Sequence, residues 1–375
     1  MMRAVADGKL DAASPLFSDE MYFCLGCLAC ETACPAGVQY GEMIEYGRAE
    51  VESTGIKTST QRDLVRAVAL KWLFGKPNRL RSVAKLMRLN QRTGLSKVFA
   101  RFMSPRLREL QSLQPRICDK FSFELISEVE RPDVTRYRVG LLTGCVQDVA
   151  YSHINRDTVD VLLANGCEVV TPRAQGCCGS LMGHNGELEA SRQMARANLD
   201  AFPLESLDAV ITNAAGCGSF MKRYRHVLPD DPRAKVWDQK VYDIHEWLMK
   251  IGLRSPKGSL PARVTYHDAC HLAHGQKITR QPRELLRAIP GLELVELPEA
   301  TWCCGSAGIY NITQPDMSMA LLERKMKHIA GTGALIVATA NPGCIGQIVH
   351  GIRQRGLDIK VAHPISLLAQ AYRNG

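Results

Sequence analysis

Residues 139–145 read Val139-Gly-Leu-Leu-Thr-Gly-Cys145, an apolar run that stops at a cysteine. The arrangement returns as Val264-Thr-Tyr-His-Asp-Ala-Cys270. Each run is followed by a second signal. Cys145 precedes Cys177-Cys178-Gly179 by 32 residues, and Cys270 precedes Cys303-Cys304-Gly305 by 33. From the second cysteine of each pair to the next one, Cys217 or Cys344, the steps are 39 and 40. Agreement within one residue over such lengths marks an internal duplication. The flanks repeat as well: Ala209-Val-Ile-Thr-Asn-Ala-Ala-Gly-Cys217 answers Leu335-Ile-Val-Ala-Thr-Ala-Asn-Pro-Gly-Cys344. Short β-rich runs alternate with helical patterns near 157–164, 187–202 and 314–328. That alternation predicts βαβ units with a parallel sheet in each half.

The eight cysteines then fall just past the C-terminal ends of strands, where open α/β sheets bind ligands. They read as cofactor ligands or as buried structural thiols, since free cysteine is among the most buried residues. A glycine beside the cysteine at every station except Cys270 favours ligation, because glycine often marks close approach to something bulky.

A third set is Cys24, Cys27, Cys30 and Cys34 in CLGCLACETACP. The spacing C-x2-C-x2-C-x3-C-P is the ferredoxin run that holds a [4Fe–4S] cluster. Soft thiolates suit iron in such a cluster. A structural zinc knuckle is the alternative, although zinc sites usually pair two C-x2-C hooks and lack the trailing Cys-Pro. In two-cluster ferredoxins the fourth cysteine serves the other cluster. No cysteine precedes Cys24. Either a distant cysteine such as Cys118 completes the site, or the chain is a shortened version of a two-motif protein. Cys167, outside every motif, reads as a buried thiol.

The chain has 375 residues, 46% hydrophobic and 23% charged. This is a globular composition, and it excludes a disordered, collagen-like or coiled-coil chain. No apolar run approaches the roughly 20 residues of a membrane span. The first ten residues lack the apolar core of a secretory signal. A cytoplasmic location is expected, where structural disulfides are rare, so 14 cysteines point to metal or redox chemistry. No phosphate loop, dinucleotide fingerprint or Ser-His-Asp pattern stands out, so hydride chemistry is expected on a partner. His267, His271 and His274 surround Cys270 in one repeat only and read as polar rim residues rather than ligands.

The net charge of +9 is unevenly spread. Residues 57–108 hold 14 Lys and Arg against one acid, Asp63. Val65, Val68, Ala69, Trp72 and Leu73, then Leu80, Val83, Leu86 and Met87, recur at helical spacing. They predict basic amphipathic helices broken near Gly75 and Gly94. Such helices are solvated faces, or they dock on anionic lipid or an acidic partner. No nucleic-acid motif accompanies the charge, so no nucleic-acid partner is expected.

With these features placed, the chain resembles the glycolate oxidase iron-sulfur subunits of the Cys-Cys-Gly domain family. The matching stretches are CLGCLACETACPAGVQYG, TGCVQ, GCCG, NAAGCG, HDACHLAHGQK, CCGSAGIYN and ANPGC. The resemblance implies an oxidoreductase subunit that carries electrons from a flavoprotein, which oxidises glycolate to glyoxylate, towards the respiratory chain. It implies [4Fe–4S] cluster cofactors here, and FAD only on two FAD-domain partner subunits. It further implies a membrane surface or quinone-linked acceptor, hence a peripheral place on the inner face of the cytoplasmic membrane. A lactate-oxidising complex and a heterodisulfide-reductase-like activity are the alternatives. The latter relatives end each unit in C-x2-C; here Ala214 and Asn341 stand at the first position, leaving four cysteines per unit. The family usually has two ferredoxin motifs, and Met1 to Lys9 looks like the helix between them, so the chain is expected to be N-terminally shortened.

The expected fold is α/β with an α-helical N-terminal part. A ferredoxin-like segment, half of a two-motif domain, covers 1–56, and a basic helical connector 57–135. Two Cys-Cys-Gly domains of repeated βαβ units with parallel sheets cover 136–257 and 258–375. The cofactor ligands expected are Cys24, Cys27, Cys30, Cys34, Cys145, Cys177, Cys178, Cys217, Cys270, Cys303, Cys304 and Cys344. No catalytic residue is expected on the chain itself.

Overall fold

The computed structural model describes residues 1–94 and 103–375. Its centre is a pair of sheets with one shared strand order. The first contains β1 (Val129–Glu130), β2 (Tyr137–Leu141), β3 (Cys167–Val170), β4 (Ala209–Thr212) and β5 (Val241–Asp243). They run in the order β1-β3-β2-β4-β5, with β1 antiparallel on β3 and the rest parallel. The second contains β6 (Ala262–Tyr266), β7 (Leu292–Glu296), β8 (Ile336–Ala338) and β9 (Lys360–Ala362), all parallel in the order β7-β6-β8-β9. Register repeats too: Val139 faces Val169 and Ala209, and Val264 faces Leu294 and Ile336.

The strands are short and apolar because helices cover both faces of a parallel sheet. Every residue of β3 and β4 is buried. In each sheet the chain steps first to one side of the leading strand and then to the other. That reversal opens a crevice at the C-terminal ends of β2 and β4, and of β6 and β8.

The two units pack reciprocally. The helix Ser152–Ala164 of the first unit lies on Pro364–Arg373 of the second, and Ile244–Ile251 lies on Arg280–Arg287. In each contact the leading helix of one unit meets the closing helix of the other. One core joins Val139, Leu141 and Ile211 to Val264, Tyr266, Ala338 and Ile365. Along this seam the Ala215 N–H donates to the Ala340 carbonyl at 3.0 Å, and His245 stacks on His363 with ring centres 5.5 Å apart.

Ahead of the sheets, the helix Pro15–Phe23 packs on Tyr40–Thr54 through Phe17, Met21, Ile44 and Val51. The Ser14 hydroxyl accepts from the Phe17 N–H, and Pro15 opens the first turn, so both local signals start the helix there. The ferredoxin loop hangs between these two helices.

The basic segment forms Thr60–Val65, a π-helical stretch Arg66–Leu73, then Pro77–Thr93, which ends at Gly94 with φ of 70°. Its residues 95–102, including Lys97 and Arg101, lie outside the described residues. The breaks fall at the expected glycines, but the inward face differs. Leu70 is buried, while Val65, Val68 and Trp72 are 57%, 49% and 47% exposed. A π-turn takes an extra residue per turn, so a 3.6-residue pattern assigns the wrong face. In the next helix Leu80 and Ala84 bury against Ile117 and Phe121, and Leu86 is exposed. Much of the charge is paired with acids. Arg66 and Lys71 pair with Glu187 at 2.8 and 2.9 Å, Arg81 with Asp148 at 2.8 Å, Arg92 with Asp119 at 2.6 Å, and Arg62 with Glu52. Among the described residues no helix is long and apolar enough to cross a membrane.

Candidate metal centres

The strand order delivers three cysteine stations of each unit to one crevice. Cys145 caps the helix Val146–Ala150 after β2, Cys177 and Cys178 follow β3, and Cys217 lies in Ala215–Met221 after β4. The Sγ atoms of Cys177 and Cys145 are 3.5 Å apart, and Cys178 is hydrogen-bonded to Cys177 and Cys217. The second unit repeats this: Cys303 contacts Cys270, and Cys304 contacts Cys344. In both, the first cysteine of the pair reaches towards the leading strand and the second towards the third strand. None of the 14 cysteines is in a disulfide.

Hydrogen bonds with neighbouring thiols, together with burial, push the Cys177, Cys217 and Cys270 thiols up, and Cys178 is pushed down by its bonds with Cys177 and Cys217. Four thiols crowded in a dry crevice cannot ionise together without a compensating cation. A soft metal centre supplies that charge and deprotonates its ligands. The donor set and its burial therefore fit an iron-sulfur group.

Gly179 and Gly305 each have φ of 89° and donate an N–H to Cys177 and Cys303 Sγ at 3.5 and 3.4 Å. A Cβ at Gly305 would sit 2.4 Å from the Ser318 carbonyl oxygen, and one at Gly179 3.0 Å from that of Ser191. The sequence pattern suggested glycine as clearance for a bulky group. At these two positions the reasons are a left-handed backbone and a helix packed behind it.

In the ferredoxin loop, Cys24 ends one helix, Gly26 and Leu28 take φ of 66° and 64°, and Cys30 lies in the first turn of the helix Ala29–Ala33. These two left-handed turns curl the chain round the thiols. Gly26 N–H and Tyr40 O–H donate to Cys24 Sγ at 3.3 and 3.7 Å. Burial pushes Cys27 up, with Cys270 and Cys24 adding to it, and Cys30 is pushed up by burial and by Cys27 and Cys24. Cys24, Cys27 and Cys30 thus form one group, with Cys270 of the second unit beside it. Cys34 is instead held low by the backbone N–H groups of Val38, Ala36 and Gly37.

The histidines separate. His271 Nε2 meets the Gly26 carbonyl at 2.9 Å, and His274 Nδ1 meets Thr32 Oγ1 at 3.0 Å, so both serve the loop. His267 goes elsewhere. It is fully buried, and its ligating atoms lie within 4.8 Å of those of Cys304 and Cys344. Nδ1 meets the Ala300 carbonyl at 3.1 Å, and Nε2 has no hydrogen-bond partner. Burial pushes its pKa down to about 3, so the ring is neutral. Sequence reasoning set this residue aside; its place at the end of β6, three positions before Cys270, was the available signal.

A buried cation also distinguishes the second unit. Lys325 donates to the Glu299 and Ala300 carbonyls, with Cys304, Cys303 and Cys344 in its electrostatic surroundings. Counting seven residues on from Ser191 and from Ser318, the first unit has Asn198 where the second has Lys325. Asn198 donates to the Cys177 carbonyl at 2.9 Å.

Cys118 has partners other than the loop cysteines. Burial raises its thiol, but hydrogen bonds with His153 and Ser152 outweigh that and lower it. It lines a cavity of about 580 Å³ with Tyr151, His153 and Arg353. Cys167 is buried in β3.

Comparison with known proteins follows the same division. A family model described as a cysteine-rich domain matches residues 139–222 and 264–349. A second, described as the linker region of the glycolate oxidase iron-sulfur subunit, matches 61–113. A Bacillus subtilis protein named probable glycolate oxidase iron-sulfur subunit is 37% identical over 390 residues, covering 99% of this chain and 86% of that protein. The Escherichia coli glycolate oxidase iron-sulfur subunit is 29% identical over 93% of this chain and 81% of its own length. Lactate utilization protein A of Oceanobacillus iheyensis is 30% identical over 64% of this chain and 98% of its own length. The chain belongs to the glycolate oxidase iron-sulfur subunit family.

Proposed function

We propose that this chain is the electron-transfer subunit of a glycolate-oxidising complex. With [4Fe–4S] clusters bound, the chain would carry electrons from a flavoprotein partner with two FAD-domain subunits towards the respiratory chain. The observation that carries this reading is the convergence of eleven motif cysteines, Cys24, Cys27 and Cys30 in the loop and four in each repeated unit, with Cys27 beside Cys270. Cys24, Cys27 and Cys30, with Cys34, are the residues that would hold a cluster in the loop. Cys145, Cys177, Cys178 and Cys217 would hold a centre in the first unit, and Cys270, Cys303, Cys304 and Cys344 one in the second. An iron-sulfur cluster supplies reversible one-electron transfer, with a potential set by burial and hydrogen bonds to sulfur. The chain's own part is to keep water from the thiols, to donate Gly26, Gly179 and Gly305 N–H groups to sulfur, and to hold the three sites in one rigid frame.

The division at residues 56, 135 and 257 is part of the same proposal, supported by the two repeated matches at 139–222 and 264–349, although β1 joins the first sheet already at Val129–Glu130. So is docking of the basic segment on the anionic surface that receives the electrons, supported by exposed Val65, Val68 and Trp72 among its cations. A lactate-oxidising complex is the second reading, favoured by the likeness to lactate utilization protein A.

The test uses the full chain purified without oxygen, with its flavoprotein partner added. Glycolate should bleach the cluster absorption when the partner is present and leave it unchanged when it is absent. Bleaching by lactate alone would select the second reading. Zinc without iron or sulfide would remove both.

A further inference from the structure

We propose that His267 is a metal ligand of the second Cys-Cys-Gly site, which then holds its group through four thiolates and one imidazole, while the first site uses thiolates alone. This rests on the iron-sulfur reading above and adds to it a difference between the two units. Three observations carry it. His267 Nε2 is fully buried with no partner, an unfavourable state for an acceptor that a metal ion would relieve. Its Nδ1 is engaged by the Ala300 carbonyl, the second interaction that metal-bound histidines nearly always make and that fixes the tautomer. With Nδ1 engaged, Nε2 is the ring atom left to join Cys304 and Cys344, and the three residues bring ligating atoms within 4.8 Å.

The repeat makes the point sharper. The position three residues before Cys145 is Leu142, buried and apolar. In the second unit Asn341 Nδ2 donates to Cys344 Sγ at 3.7 Å and its Oδ1 accepts from the Gly216 N–H at 3.1 Å, so its amide is committed to hydrogen bonds. The imidazole supplies a fifth donor from the opposite side of the crevice, off the leading strand instead of the third. A neutral imidazole in place of an anionic thiolate raises the potential of an iron-sulfur centre, as in Rieske sites.

The test is pulsed electron paramagnetic resonance on the full chain, purified without oxygen and carrying 15N-labelled histidine, in oxidised and reduced states. One strongly coupled histidine nitrogen is expected, lost in H267A and kept in H271A. H267A should lose iron from the second site, and H267C should recover it with a lower midpoint potential. Iron and sulfide bound without histidine coupling, or coupling that survives in H267A, overturns the ligand and leaves the cluster reading standing. Native metal content in H267A overturns it whatever the spectra show. A native chain without iron overturns both.

Discussion

His271 Nε2 lies 2.9 Å from the carbonyl oxygen of Gly26, and this contact seats the ferredoxin loop on the second unit. Each residue adjoins a cysteine, His271 following Cys270 and Gly26 preceding Cys27. The Tyr310 hydroxyl donates to the Phe23 carbonyl at 3.0 Å, and Lys277 Nζ to Thr32 Oγ1 at 2.8 Å. These three bonds register the loop against the second unit, while Arg48 links the Cys24 carbonyl to the His184 carbonyl of the first. Burial pushes the His271 pKa down to about 4, so near neutral pH the ring is uncharged and Nε2–H donates to the carbonyl.

H271A removes that donor and leaves the Gly26 carbonyl unpaired, a loss of about 1–3 kcal/mol. Iron in the loop should become accessible while the quartets stay closed. Iron release to a chelator should show one phase several-fold faster than in the native protein and the others unchanged. Identical release curves would contradict it.

The two Cys-Cys-Gly glycines should not tolerate alanine equally. Both substitutions force a side chain into the left-handed region, at about 1–2 kcal/mol. G305A adds a 2.4 Å approach to the Ser318 carbonyl oxygen, and G179A a milder 3.0 Å approach to Ser191. G305A should lower the thermal midpoint clearly more than G179A. The reverse order in a melting experiment would show that the helix behind Gly305 yields.

Lys325 is a buried cation beside Cys303, Cys304 and Cys344. Replacing it with methionine takes a positive charge from next to the second site. K325M should shift one midpoint in a mediated redox titration to lower potential and leave the others in place. A uniform titration would mean that the charge is screened from the centre.

Acid should loosen the N-terminal part. Burial raises the Glu45 carboxyl, but hydrogen bonds from His184 at 2.8 Å and Arg223 at 3.0 Å outweigh it and hold the pKa below the usual range. A depressed carboxylate stabilises the fold above its unfolded pKa, and that contribution is lost as pH falls through the folded value. Thermal midpoints measured from pH 6 down to pH 3 should fall more steeply for the native chain than for E45Q. Parallel curves would remove Glu45 as the clamp.

The duplication, the parallel βαβ units and the convergence of the quartets were legible because cysteine spacing survives in one dimension, whereas the strand order was not read. The grouping of Cys24, Cys27 and Cys30 was legible for the same reason. The inward face of 66–73 was not, since a π-turn breaks the period on which the reading rests. Nor was the fate of the positive charge: Arg66 and Glu187 are 121 residues apart, and Arg81 and Asp148 are 67. His267 was read as a rim polar residue because its neighbours in sequence are not its neighbours in the crevice. Cys304 and Cys344 reach it only through the register of β6, β7 and β8.

The reciprocal helix contacts have a consequence for how the two halves came to differ. A lone unit would leave its leading and closing helices bare, and a second copy would cover both. The chain is in this sense a fused homodimer, and twofold symmetry alone would make its cofactor pockets equal. The N-terminal loop settles on the second half and the connector residues Leu70 and Phe74 on the first, so the two pockets have different outside neighbours, and His267 and Lys325 belong to the one beside the loop. Electrons entering by way of that loop would meet a direction built into an otherwise symmetric frame.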